Sequence, residues 1–117
     1  MVQKTLTYEH RSGWEPWLSA IVQRIVESCH PYKIILFGSH AYGHPSIDSD
    51  IDLLVIMPSR ERGLKRQLRV DRLIRPRRFP VDLLVLTPRE IQQRLAGFDP
   101  FLEEVLTKGR VLYEASR

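Results

Sequence analysis

The sequence has little cysteine and no long apolar run, and both absences narrow the class of protein. Cys29 is the one cysteine among 117 residues, so an intrachain disulfide is excluded and a reducing compartment is indicated. No stretch approaches the roughly 18 consecutive apolar residues of a membrane-spanning helix, and no apolar targeting segment follows the first residue. We therefore expect a cytoplasmic protein with no membrane span.

Length and charge indicate one ordinary globular domain. The 117 residues are 43% hydrophobic and 27% charged, and a chain of this length can bury a single core. We expect one domain over residues 1–117, with the polar residues 1–12 loosely held. The net charge of +4 permits contact with a nucleic acid but does not require it, and we do not favour that contact.

Helical and strand-like segments alternate along the chain, which predicts an α/β (α+β) fold with a small mixed sheet of about four strands flanked by helices. Thr87-Pro88-Arg89-Glu90 has the pattern of a capping box with proline at the first helical position. The predicted helices are 14–29, about 60–74, about 88–95 and about 100–107, with one possible helical turn in 38–43. The predicted strands are 33–37, 51–57, 81–86 and 111–113.

Two of these strands carry the same four letters, with a carboxylate at the head of an apolar run. Residues 52–55 and 82–85 both read DLLV, and Asp50 lies two residues before Asp52, on the same face of its strand. If the strands pair near register, Asp50, Asp52 and Asp82 converge at one end of the sheet. A single aspartate there is more often a cap, but three carboxylates favour a hard divalent cation, Mg²⁺ or Mn²⁺. Two such ions can clamp both oxygens of a phosphoryl displacement.

Gly38-Ser39 follows the predicted strand 33–37 and adds a candidate phosphate site. Glycine lets the backbone approach an anion closely, and the following amides and hydroxyl can hold a triphosphate. A lone Gly-Ser pair is usually only a turn. Its value comes from the spacing, since ten residues separate it from the Asp50-x-Asp52 pair.

The segment ILFGSHAYGHPSIDSDIDLLV, residues 35–55, resembles the core motif of the minimal nucleotidyltransferases of the polymerase-beta-like nucleotidyltransferase superfamily. Gly38 and Ser39 match the family's Gly-Ser, Asp50 and Asp52 its first two metal carboxylates, and Asp82 the third. The resemblance covers about residues 14–115. His40 stands where many relatives have a basic residue, so it is either a nucleotide phosphate ligand or a solvated loop histidine.

The resemblance implies a reaction and a role for each residue. An acceptor hydroxyl attacks the α-phosphorus of a nucleoside triphosphate, ATP by preference, and pyrophosphate leaves. Asp50 and Asp52 would hold both metals, Asp82 would hold the one that binds the acceptor and help deprotonate that hydroxyl, and Ser39 would contact the β- and γ-phosphates.

The resemblance also implies a partner. Minimal nucleotidyltransferases are often paired with small all-helical HEPN-type proteins in toxin–antitoxin modules. We therefore expect an antitoxin that transfers AMP to a hydroxyl of its partner. The alternative is a binding antitoxin, or a nucleotide-binding module, that masks its partner with little catalysis. The intact metal and Gly-Ser motifs favour the enzyme.

Two segments leave open how a partner would dock. The segment between Arg60 and Arg78 is rich in basic residues, and it is either a solvated helix with pairs such as Glu61–Lys65 and Asp71–Arg75 or a surface for an acidic partner or RNA. We favour the solvated helix. The apolar residues Phe98, Phe101 and Leu102 near Asp99-Pro100 are either core or interface, with core favoured.

Overall fold

The four strands and the helices lie close to the positions that the sequence predicts. The computed structural model describes residues 13–45 and 49–116, and the predictions for residues 1–12 lie outside them. In these ranges the helices are α1 (Trp14–Cys29), α2 (Ser39–Tyr42), α3 (Gly63–Leu73), α4 (Pro88–Ala96) and α5 (Pro100–Lys108). The strands are β1 (Lys33–Phe37), β2 (Ile51–Ile56), β3 (Val81–Leu86) and β4 (Arg110–Glu114). The predicted mixed fold is confirmed.

The strands form one open sheet in the order β3-β2-β1-β4. β1 runs antiparallel to both β2 and β4, whereas β2 and β3 run parallel and are joined through α3, as a parallel pair requires a crossover. In the parallel pair the two DLLV runs are in register, with Asp52 opposite Asp82 and Leu53 opposite Leu83. The condition on which the convergence of the aspartates depended, pairing of the two strands near register, is therefore met.

The two faces of the sheet pack against different helices, because successive strand side chains point to opposite faces. One face packs against α1 and α3, and its cluster includes Leu53, Val55, Leu83, Ile21 and Val70. The other face packs mainly against α5, through the cluster Ile35, Phe37, Leu54, Ile56, Leu86, Leu102 and Val105. Asp52 and Asp82 belong by alternation to this second face, with Leu54 and Leu84 following them.

Local sequence signals explain where the C-terminal helices begin. In α4 the Thr87 hydroxyl accepts a hydrogen bond from the Glu90 amide, and the Glu90 carboxylate accepts one from the Thr87 amide, so the predicted capping box is confirmed. In α5 the Asp99 carboxylate accepts a hydrogen bond from the Leu102 amide, with Pro100 at the first position. These caps fix the turn between α4 and α5 beside the open part of the sheet.

Helix α3 begins three residues later than predicted. The Ser59 hydroxyl accepts a hydrogen bond from the Glu61 amide in a tight turn, and Arg62 is still extended, so the helix starts only at Gly63. No helix in residues 13–45 or 49–116 is long and apolar enough to span a membrane.

Candidate functional site

The candidate site lies where β2 and β3 begin, on the face that α5 covers only in part. Asp82 is exposed and Asp52 is partly buried, and these two residues are direct neighbours in the parallel pair. Asp50 precedes β2 and is also exposed. The structure therefore brings together two of the three predicted carboxylates by strand register, and the third by its position two residues upstream.

The charges of these carboxylates act on one another. Partial burial raises the pKa of Asp52, and the neighbouring negative charges of Asp82 and Asp50 raise it further, while His40 acts in the opposite direction. Placing three carboxylates here therefore costs free energy that a bound cation would offset.

A divalent cation fits the donor chemistry of this site. Carboxylate oxygens are the ligands that Mg²⁺ and Mn²⁺ prefer, and their mutual repulsion favours a cation between them. Within residues 13–45 and 49–116, no three His, Cys, Asp or Glu side chains already stand as a metal-ligand set. In the conformation described, Asp50, Asp52 and Asp82 are therefore not arranged as ligands of one ion.

Gly38 brings the backbone after β1 against Asp52. Its φ of 75° lies in the left-handed range, and a Cβ at this position would overlap the Asp52 carboxylate oxygen Oδ2. Glycine is thus required here both by the backbone conformation and by the close approach. Ser39 follows at the start of α2, so the Gly-Ser pair and the carboxylates are neighbours in space, as their spacing predicts.

His40 is turned inward, toward the segment that leads into β2. Its Nε2 lies 3.2 Å from the carbonyl oxygen of Ser49, and its ring packs edge-on against Trp14 with centroids 4.6 Å apart. Its Nδ1 is buried and has no hydrogen-bond partner among the described residues. In this orientation His40 holds the residue before Asp50, and a contact of His40 with phosphate stays a prediction.

A cleft of about 430 Å³ opens beside the carboxylates, and most of its lining was not foreseen from the sequence. Phe101 of α5 stands edge-on against Phe37 of β1, with ring centroids 5.7 Å apart, and Arg94 of α4 supplies a cation. Strand pairing places Phe37 opposite Asp52, and no local pattern in the sequence indicates this pairing. No local signal marks Arg94. The lining is Phe37, Asp52, Asp82, Leu83, Leu84, Arg94 and Phe101.

The C-terminal apolar residues divide between core and surface. Leu102 is fully buried under the sheet, whereas Phe101 is 48% exposed and Phe98 is 88% exposed. The expectation that all three belong to the core is therefore wrong for the two phenylalanines, because α5 turns only one side to the sheet.

The fold is shared with solved nucleotidyltransferase-like structures. A proposed nucleotidyltransferase from Sulfolobus solfataricus matches with a TM-score of 0.61 at 24% identity, over 85% of this chain and 78% of the other. A mutant of the toxin–antitoxin MntA–HpeT matches with a TM-score of 0.55 at 19% identity, over 82% and 71%. A toxin–antitoxin crystallised with AMP-PNP matches with a TM-score of 0.56 at 21% identity, over 83% and 73%. A comparison with curated protein sequences gave no significant match.

The sequence itself matches a family model. The model for the nucleotidyltransferase domain aligns with residues 16–113, which include both the Gly-Ser pair and all three aspartates. The match spans nearly the whole chain, and the fold agrees with it. The chain belongs to the nucleotidyltransferase domain family.

Proposed function

We propose that this protein transfers a nucleoside monophosphate, AMP from ATP, to a hydroxyl of a partner protein, in a reaction that depends on Mg²⁺ or Mn²⁺. The observation that carries the proposal is the in-register pair Asp52 and Asp82, with the Gly38 backbone packed against Asp52. This arrangement sets a candidate phosphate loop beside candidate metal ligands, at the mouth of a cleft.

Each residue has a distinct task in this proposal. Asp50, Asp52 and Asp82 would hold the divalent ions, which when bound supply charge neutralisation at the phosphates and a lowered pKa at the acceptor hydroxyl. Asp82, the most open of the paired carboxylates, accepts the proton of the acceptor hydroxyl. The acceptor oxygen then bonds to the α-phosphorus while the bond to pyrophosphate breaks. The Ser39 hydroxyl and nearby amides orient the β- and γ-phosphates.

The partner is proposed to be a small all-helical protein of the HEPN type, with this chain as the antitoxin of the pair. Two structural neighbours are toxin–antitoxin proteins, one of them with AMP-PNP. In the mutant neighbour the two replaced aspartates are two residues apart, the spacing of Asp50 and Asp52. The cleft beside the carboxylates leaves room for an acceptor group from outside the chain.

Mass spectrometry of the partner tests transfer. The small helical protein encoded by the adjacent gene is incubated with this chain, ATP and Mg²⁺. The intact mass of that helical protein should rise by the mass of one AMP or more. The double variant Asp50→Asn/Asp52→Asn should give no gain. If the wild type also gives no gain, and the double variant still neutralises the partner, the protein is a binding antitoxin instead.

Calorimetry tests the metal requirement separately. ATP should bind in the presence of Mg²⁺ and lose its measurable affinity in EDTA, because three carboxylates repel a polyphosphate unless cations lie between them. Equal ATP affinity in both buffers would exclude the metal-dependent mechanism. The affinities of ADP and GTP, measured in the same way as that of ATP, show whether the site recognises the γ-phosphate or the base.

A further inference from the structure

Helix α3 turns a second, separate surface to solvent. Arg66 and Val70 are buried on its inner side, whereas Leu64 is 75% exposed and Leu68 is 46% exposed on its outer side. These two leucines are four residues apart, so they lie one above the other on the same side of the helix. The residues of this surface, which we term the α3 outer face, are Arg60, Arg62, Leu64, Lys65, Leu68 and Arg72.

Within the part of the chain that the structure describes, the cations of the α3 outer face lie beyond ion-pair distance of any carboxylate, although the pKa of Glu61 is lowered by its hydrogen bond with Arg69 and, to a smaller extent, by the charge of Lys65. Among the described residues, Arg60, Arg62, Lys65 and Arg72 are exposed and form no ion pair. Their basic neighbours are paired instead, since Arg69 binds Glu61 and both Arg75 and Arg77 bind Asp71. The acidic residues of the segment are thus already engaged elsewhere, and the α3 outer face keeps a surplus of positive charge.

Both leucines line a shallow groove of about 620 Å³ along the helix, together with Arg60, Arg62 and Lys65. Glu61 also lines this groove, but its carboxylate is paired with Arg69. An isolated exposed leucine needs no explanation, but two stacked leucines ringed by unpaired cations have the chemistry of a docking site. The matching surface would carry apolar side chains at the same four-residue spacing, flanked by carboxylates. An amphipathic acidic helix has this arrangement.

We propose that the α3 outer face docks an acidic amphipathic helix of a partner protein. Leu64 and Leu68 contact the apolar stripe of that helix, and the unpaired cations contact its flanking glutamates and aspartates. RNA is the less suitable occupant, because no aromatic residue lies between Arg60 and Arg78 to stack on bases. The exposed leucines would have no function on a surface that binds phosphates alone.

The proposed docking site does not overlap the carboxylate cleft. Helix α3 packs on the sheet face that carries Leu53 and Leu83, whereas Asp52 and Asp82 lie on the opposite face. A partner bound to the α3 outer face leaves the cleft accessible. The proposal is therefore independent of nucleotide transfer and holds whether or not transfer takes place.

A binding experiment with a synthetic peptide tests the proposal. The probe is a helical peptide with leucines four residues apart and glutamates on both sides, measured by fluorescence anisotropy with the full chain. The variant Leu64→Ser/Leu68→Ser should weaken binding at least about tenfold, since both apolar contacts are lost. The variant Lys65→Glu/Arg72→Glu should weaken it similarly and flatten its dependence on salt. Both variants change exposed side chains and should keep the wild-type melting temperature.

The controls use exposed residues that do not belong to the α3 outer face. Leu95→Ser and Arg89→Glu change an exposed leucine and an exposed arginine of α4, and both should leave peptide affinity unchanged. A peptide of the same composition, scrambled so that its leucines share no face, should bind at least about tenfold more weakly.

Three results would overturn the proposal. The first is equal binding of the ordered and scrambled peptides, or no binding of either. The second is tight binding of oligouridylate that the leucine variant does not change, which would make the surface an RNA site. The third is a wild-type dimer that Leu64→Ser/Leu68→Ser dissociates, which would make a second copy of the chain the occupant.

Discussion

The two faces of the sheet are used differently, although the same strands build both. On the α1/α3 face, Leu53 and Leu83 are buried beneath two helices. On the other face, α5 covers Leu54 and Leu86 but leaves the beginning of the strands open, where Asp52 and Asp82 stand. Carboxylates without a basic partner are tolerated only where solvent or a cation reaches them, so one face stabilises the fold and the other can perform chemistry.

The largest effect on stability is expected for a substitution on the α1/α3 face. Leu53→Ala removes a fully buried side chain between the sheet and its helices, so the free energy of unfolding should fall by about 2–5 kcal/mol. Denaturant unfolding followed by circular dichroism measures it. Leu84→Ala, in a partly buried position on the open face, is the matched control and should cost clearly less. Equal losses would show that the two faces are equally packed.

An ion pair beside the edge strand β3 joins helix α3 to helix α4. The guanidinium of Arg66, only 4% exposed on α3, donates a 2.7 Å hydrogen bond to Glu90 of α4. Glu90→Gln removes the charge that this buried cation faces, so the free energy of unfolding at neutral pH should fall by roughly 1–3 kcal/mol. Equilibrium unfolding gives the value, and Glu103→Gln, an exposed site without such a partner, should change it little.

The same pair predicts a pH dependence. Burial alone would raise the pKa of Glu90, but the Thr87 amide and Arg66 outweigh burial and hold this pKa below its ordinary value of 4.5. The unfolded state therefore binds the proton more readily, and the stabilisation is present above pH 4.5 and lost as pH falls below it. The stability difference between wild type and Glu90→Gln should shrink over that acid range. A difference that stays constant in acid would contradict this assignment.

Gly38→Ala should damage the open face with a smaller effect on the fold. The added Cβ meets the Asp52 carboxylate, and the positive φ disfavours alanine, so the cost should be about 1–3 kcal/mol. The larger consequence should be weaker binding of ATP with Mg²⁺, measured by calorimetry, because Asp52 must move. Gly97→Ala, where a Cβ meets only a carbonyl in ordinary contact, is the control. Unchanged affinity in Gly38→Ala would separate Asp52 from nucleotide binding.

The sequence predicts those elements whose signals lie within a few neighbouring residues, but it does not predict how distant segments pair. Helix α1 and strands β1 and β3 have the predicted bounds, because periodicity and caps are local. The antiparallel pairing of β1 with both β2 and β4 was not predicted, since local patterns do not encode which strands meet.

The candidate site shows the same difference between local sequence signals and contacts made by the folded chain. The spacing of the sequence motifs indicates five candidate site residues, Gly38, Ser39, Asp50, Asp52 and Asp82. The roles of these residues stay predictions. Arg94 and Phe101 reach the cleft only because α4 and α5 fold over the sheet. The ion pair Asp71–Arg75 was predicted from helical spacing and is observed. Glu61 binds Arg69 rather than the predicted Lys65, because Glu61 precedes the helix and helical spacing does not apply to it.

The smallest effect on stability is expected for Asp52→Asn. This substitution should separate the contribution of the open face to activity from its contribution to stability. Burial and the charges of Asp82 and Asp50 disfavour the Asp52 carboxylate, so removing its charge should leave the metal-free melting temperature unchanged or raise it. Transfer of radiolabelled AMP to the partner should nevertheless be lost, since a proposed metal ligand is gone. Glu104→Gln, which removes an exposed charge that is paired with Lys108 and does not line the cleft, should retain transfer. A large fall in the metal-free melting temperature would make Asp52 a structural residue, and retained labelling would remove it from the proposed mechanism.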